Sequence, residues 1–178
     1  NKNSNLLLKL INDILELSRI ESGRMSFTFE YCSLNKLMEE IYQTHHLLMP
    51  AGISFLKKIP DMDITLHVDR FRFTQVITNL INNAVKFTTK GYIKMGYRYD
   101  KSTNEVHIFV EDTGKGMSEE AQKKVFERFY KADEFVQGTG LGLSICQTIA
   151  ERLNGRITLF SEEGKGSCFT LILPCQQK

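Results

Sequence analysis

Four residues near the middle of the chain have the types and the spacing to do chemistry. They lie in the run FTQVITNLINNAVKFT, residues 73–88. A helix turns by about 100° per residue, so Asn79, Asn83, Lys86 and Phe87 share an arc of about 100° on one face. Carboxamide oxygens are hard donors suited to Mg²⁺, which takes few protein ligands and keeps waters and substrate phosphates. The lysine ammonium beside them is a point charge for a phosphate oxygen. The face therefore suits a metal-bound polyphosphate. It would equally serve as a solvated polar face, and the helix alone does not choose. Asn82 turns toward its rim, while Phe73, Ile77, Leu80, Ile81, Ala84 and Val85 fill most of the other side and are expected in a core.

Two glycine-rich stretches follow. DTGKGM, residues 112–117, comes straight off a strand-like run, and its glycines let backbone approach a flat ligand. GTGLGL, residues 138–143, opens an apolar helical pattern. Successive glycines leading into a helix present backbone N–H groups and a positive dipole end, which hold phosphates. The spacing of its third glycine and the lack of a following βαβ unit set aside a dinucleotide-binding reading. Between the two lies FERFY, residues 126–130. After it, 131–137 shows no period, which suits a mobile lid.

An asparagine helix, DxGxG, FERFY and GTGLGL, in that order, resemble the N, G1, F and G2 boxes of bacterial sensor histidine kinases. The resemblance is to their catalytic ATP-binding domain, within the GHKL or Bergerat-fold ATPases, and it covers nearly the whole chain. It implies ATP and Mg²⁺ as cofactors and transfer of the γ-phosphoryl group to a histidine. An ionised carboxylate only accepts hydrogen bonds, so Asp112 can take the adenine amino proton and would repel the oxygen of guanine. The resemblance makes Asp112 the adenine-specificity residue, with Gly114, Gly116 and Met117 shaping the pocket and Ser167 reaching the same base edge through water. It makes Asn83 the metal ligand, Asn79 its supporting partner, Lys86 a phosphate contact and Phe87 a ring beside the adenine. Gly138, Thr139, Gly140 and Gly142 form the phosphate loop and lid hinge, with Leu141 and Leu143 beneath the nucleotide. Phe126 and Phe129 are expected to insert their rings at the start of the lid. Lys131 stands where the family often has an arginine aimed at the γ-phosphate, and it keeps the charge but loses the fork.

Asn79 separates two activities. Hydrolysing relatives such as type II topoisomerases and mismatch-repair ATPases generally carry a glutamate there, which can accept a proton from water. An amide cannot. The alternatives to a kinase are a gyrase-type ATPase and a non-catalytic, nucleotide-gated interaction module.

Bulk properties agree with a globular domain and exclude several classes. A chain of 178 residues, 42% hydrophobic and 25% charged, is long enough for one core and ordinary in composition. A net charge of +2, with no basic stripe interleaved with aromatics, gives no sign of nucleic acid. No apolar run approaches the roughly 18 residues that cross a bilayer, and nothing resembles a signal peptide. Cys32, Cys146, Cys168 and Cys175 form no CxxC pair and sit among apolar neighbours, so reduced, buried thiols are expected. His45 and His46, adjacent and without a partner ligand at the usual spacing, read as structural.

The elements that must position the site follow from periodicity. Residues 5–23 read as a helix with a seam of Leu7, Leu10, Ile14 and Leu17, broadened by Leu6, Leu8, Ile11 and Leu15 and closed by Gly23. This helix resembles the second helix of the family's dimerisation and phosphotransfer hairpin, whose first helix carries the acceptor histidine. The division is 1–24 for that partial hairpin and 25–178 for the catalytic domain. The resemblance then implies a fragment of a homodimeric kinase, expected in the cytoplasm beneath an inner-membrane anchor, with a response-regulator receiver domain downstream. Strands are expected at 25–31, 53–58, 64–68, 91–99, 105–111, 157–160 and 167–173. Helices are expected at 34–48 behind Ser33, after Asp69, from Ser118 and at 141–153. The fold class is α+β: a two-layer α/β sandwich with helices on one face of one mixed sheet, after an N-terminal bundle helix.

Overall fold

The computed structural model describes residues 2–133 and 138–175. The expected lid therefore lies partly outside the described residues, at 134–137. Helix α1 (Lys2–Glu21) leads through Gly23 into β1 (Glu30–Ser33), α2 (Leu34–His46), β2 (Ile53–Lys58), β3 (Thr65–Val68) and α3 (Arg70–Phe87). Then come β4 (Gly91–Asp100), β5 (Glu105–Asp112), α4 (Glu119–Lys124), α5 (Gly142–Arg152), β6 (Arg156–Glu162) and β7 (Gly166–Pro174).

Five strands form a mixed sheet in the order β2-β4-β5-β7-β6, parallel only between β2 and β4. β5 alternates buried and half-buried residues without a break, the period of a strand with one covered face. Val106, Ile108 and Val110 share one core with the apolar sides of α3 and α5, where Phe73, Ile77, Leu80, Ile81, Ile145 and Ile149 are at most 1% exposed. Burying a side chain of this size contributes about 1.5–3 kcal/mol. α3 is thus gripped along one side, and its other side is free to carry polar groups.

Two expectations about the sheet need correcting. Pairing at 25–31 begins only at Glu30, and β1 joins β3 as a separate antiparallel ribbon, so there are two sheets and not one. β2 pairs in parallel with β4, and β3, although next after β2 in the chain, goes to β1. The helix caps are as expected. Ser33 Oγ accepts from the Lys36 N–H at 3.2 Å, and Asp69 Oδ1 accepts from Arg72 N–H at 2.9 Å.

The seam of α1 is split between two surfaces. Leu17 is buried and Leu10 packs against the domain core, whereas Leu7, Leu8, Ile11, Ile14 and Leu15 are exposed. Residues three and four apart share a helix face, and Leu6, Leu10, Asp13, Leu17 and Ile20 make the line that turns inward. Ion pairs Glu16–Arg72 and Glu21–Arg128 fasten that line to α3 and to the segment after α4. Among the described residues, no helix is long and apolar enough to cross a membrane. All four cysteines are free, two buried and two half-buried.

Candidate functional site

The polar side of α3 opens on a cavity of about 550 Å³ whose lining includes Asn79, Asn83, Lys86 and Phe87. Asn79 also reaches the Cys146 thiol on α5, which burial pushes up to about 12. Asn82, placed at the rim by the helix wheel, is exposed and edges the same cavity. Val85 was expected in the core; it is half-buried and lines the cavity, because it sits at the border of the two faces. Lys131, Gly138, Thr139, Gly140, Gly142 and Leu143 complete the opposite wall, while Leu141 is fully buried behind it.

The glycine loop meets α5 in a form that suits an anion. Leu141, at the N-cap, has no side chain that could cap the first N–H groups of α5, and its own N–H donates to Thr139 Oγ1. A Cβ on Gly138 would lie 3.1 Å from Lys86 Nζ, so the ammonium sits close against the loop. Lys86 is held below the usual lysine range, first by burial and next by the Lys9 ammonium, with Asp13 opposing and Lys131 adding a little. A crowded cationic wall of this kind favours a phosphate.

A second hollow of about 400 Å³ is lined by Lys115, Gly116 and Met117 among others. Phe87, Ala132 and Asp133 line both hollows, so Phe87 divides them. Lys115 Nζ stands 5.3 Å from the Phe87 ring centroid and is ion-paired with Asp133. Gly114 is obligatory here: a Cβ would fall 2.2 Å from the Phe87 carbonyl oxygen. DTGKGM is thus laid against the C-terminal end of α3.

Asp112 ends β5 directly opposite Ser167 on β7. Its carboxyl is 5% exposed, and burial pushes it above the usual aspartate value. The backbone N–H groups of Gly114, at 2.9 Å from Oδ1, and of Ser167 oppose that rise. Thr88 lies close enough to bias the carboxylate the same way, yet its buried Oγ1 makes no hydrogen bond of normal geometry. An orphan hydroxyl beside a buried carboxylate is a place for a ligand amine or a bridging water. The sequence pointed to Asp112 and Ser167 but not to Thr88, whose only signal is position after Phe87.

The lid anchor differs from expectation in one residue. Phe126 packs edge-on to Phe169, with centroids 6.2 Å apart. Phe129 is instead 61% exposed. Its φ of 64° is left-handed, and its N–H donates to the Gly140 carbonyl at 2.9 Å. Backbone, not ring, ties FERFY to the glycine loop.

His45, His46, His67 and His107 line neither hollow. His45 Nε2 lies 3.4 Å from Thr78 Oγ1, and burial lowers its pKa. His67 stacks near Tyr31, with centroids 4.6 Å apart. The structural reading of the pair His45–His46 agrees with this placement.

A family model described as histidine kinase-, DNA gyrase B- and HSP90-like ATPase matches residues 68–177. The chain belongs to this family. Its relatives within the family include the autoinducer 2 sensor kinase/phosphatase LuxQ of Vibrio vulnificus, 39% identical over 96% of the chain and 21% of LuxQ. The sensor histidine kinase WalK of Bacillus subtilis is 30% identical over 97% of the chain and 29% of WalK. The chain therefore spans between a fifth and a third of these relatives. Full-length ShkA in complex with AMPPNP superposes with a TM-score of 0.86 at 25% identity, over 99% of the chain and 37% of ShkA. The catalytic domain of histidine kinase ThkA gives 0.72 at 32% identity, over 85% of the chain and 97% of that domain. As a histidine kinase-like ATPase domain, the chain has the mixed sheet and helix layer of these catalytic domains.

The residues fit the nucleotide of such a domain. The orphan Thr88 hydroxyl and Asp112 suit an amine, and the Gly138 cradle with Lys86 and Lys131 suits phosphates. Among the described residues no group of three or more His, Cys, Asp or Glu could hold a metal ion. Asn83, half-buried on the cavity wall, offers a carboxamide oxygen of the kind Mg²⁺ takes alongside phosphates and water.

Proposed function

We propose that this chain binds Mg²⁺-ATP and presents its γ-phosphoryl group to a histidine carried on a separate helix of a sensor kinase. The observation that carries the reading is one continuous arrangement: a cationic cavity on the asparagine face of α3, divided by Phe87 from the hollow under DTGKGM. Asp112, helped by Thr88 and Ser167, selects the adenine edge, and Phe87 flanks the base. Asn83 would hold Mg²⁺, which when bound neutralises phosphate charge. Lys86, Lys131 and the N–H groups opening α5 position the terminal phosphate for in-line attack. Phosphoryl transfer is driven by such positioning and electrostatics, with little covalent help from the protein. Asn79 lacks the carboxylate that would take a proton from water, so hydrolysis is slow and the phosphoryl group remains for an imidazole. A neutral imidazole is available near pH 7 because its unperturbed pKa is about 6.5.

Residues 1–24 fit the partial dimerisation hairpin, since α1 presents Leu7, Leu8, Ile11, Ile14 and Leu15 unburied along one side. The parent is read as a membrane-anchored homodimer with the catalytic part in the cytoplasm, signalling to a receiver domain. Titration with ATP, ADP and GTP, with and without Mg²⁺, tests the core of the reading. ATP should bind, GTP should not, and Mg²⁺ should strengthen ATP; equal binding of GTP defeats the adenine assignment, and rapid steady-state hydrolysis would favour a gyrase-type ATPase.

A further inference from the structure

The wall of the larger cavity that faces α3 and the glycine loop is not supplied by the nucleotide-binding motifs. It comes from α1, through Lys2, Asn5, Leu6 and Lys9. Lys9 projects from the helix with its side chain 46% exposed and Nζ 3.6 Å from Asp13 Oδ2. That same Asp13 oxygen accepts a hydrogen bond from Thr139 Oγ1 at 2.7 Å, across 126 residues of chain. Thr139 Oγ1 in turn accepts the Leu141 N–H at 3.2 Å. Asp13 thereby ties the glycine loop to α1 and steers Lys9 toward the loop. The flanking pairs Glu16–Arg72 and Glu21–Arg128 hold the helix in that place.

Charge in the cavity is lopsided. Among the described residues, Lys2, Lys9, Lys86 and Lys131 line it against one acid, Asp133, which is engaged by Lys115, while Asp13 beside Lys9 offsets part of that charge. Like charges gathered in a partly desolvated space repel, and an anion relieves them. The field of Lys9 is already felt at Lys86.

Resting on the nucleotide reading above, we propose that Lys9 is a third cation of the phosphate site and contacts the terminal phosphate of a bound nucleoside triphosphate. The phosphate end of the site is then complete only while α1 lies against the glycine loop. α1 becomes part of the means by which the domain tells a triphosphate from a diphosphate.

The experiment is calorimetric titration of the 178-residue chain with Mg²⁺-AMPPNP and Mg²⁺-ADP, for the unaltered protein, Lys9→Ala and Lys9→Arg. Thermal melts confirm folding, which an exposed lysine replaced by a good helix former should not disturb. Losing one charge-assisted contact should weaken AMPPNP by about tenfold or more, with ADP changed less than about twofold. Lys9→Arg should keep most of the AMPPNP affinity. Equal losses for both nucleotides, or no loss for either, overturn the assignment and make Lys9 a general or solvated charge. Failure of the unaltered chain to bind either nucleotide is a different result: it removes the nucleotide reading itself, and this proposal with it.

Discussion

Asp112 and Ser167 stand directly opposite each other across β5 and β7, and Ser167 Oγ lies 2.8 Å from Ser161 Oγ. Ser161 Oγ also accepts the Met117 N–H at 2.9 Å, so strand pairing and the DTGKGM loop are locked together around the buried carboxylate. A carboxylate held this way is placed before any ligand arrives.

Asp112→Asn should therefore separate binding from stability. Replacing an acceptor oxygen by a donor should weaken ATP by about 1.5–3 kcal/mol, measured calorimetrically. The folded-state pKa of Asp112 is raised above the ordinary 3.8. The native state then binds more protons than the unfolded state between the two values, so stability falls as pH rises from 3.8 through the raised pKa. The variant lacks this titration, so its stability should show no such fall, as melts at a series of pH values would record. ATP affinity left unchanged by the substitution would falsify the adenine role.

Asn83→Ala should act on the metal rather than the base. ATP affinity without Mg²⁺ should change little, whereas most of the strengthening produced by Mg²⁺ should vanish. Binding measured in chelator and in Mg²⁺ gives both numbers, and a variant that keeps the full Mg²⁺ effect would move the ligand role elsewhere.

Two glycines of one loop should respond oppositely in stability. Gly140 has φ of 75°, and a Cβ there would lie 2.7 Å from the Phe129 carbonyl carbon. Gly140→Ala should destabilise by about 1–2 kcal/mol from the left-handed backbone alone, with the contact adding to it. Gly142 begins α5, and a Cβ there meets nothing within 4 Å. Gly142→Ala should keep or raise the melting temperature while weakening ATP, because the added methyl enters the phosphate cavity. Parallel losses of stability in both variants would count against this division.

Incubated alone with Mg²⁺-ATP, the chain should accumulate no acid-labile, base-stable phosphohistidine. His45, His46, His67 and His107 all lie away from both hollows. Joining an acceptor helix ahead of α1 should restore labelling, with the exposed Leu7, Ile11 and Ile14 side as its packing surface. Labelling of the chain itself, lost on changing one of its four histidines, would require a new acceptor.

The sequence by itself determined what depends on near neighbours. Asn79, Asn83, Lys86 and Phe87 share a face because a helix repeats every 3.6 residues. Ser33 and Asp69 cap because their side chains reach N–H groups three residues on. DTGKGM and GTGLGL were legible because glycines mark close backbone approach wherever they fall. What only the tertiary structure decided involves partners far apart in sequence. Leu10 and Leu17 could be assigned to the domain rather than to a bundle seam only once Glu16 and Glu21 had met Arg72 and Arg128. The ribbon of β1 with β3 depends on β2 having gone to β4. Phe129 looks like any core aromatic until its backbone is drawn to Gly140. Thr88 and Lys9 carry no local signal at all: a hydroxyl becomes an orphan, and a lysine becomes part of a phosphate site, only when distant segments close around them.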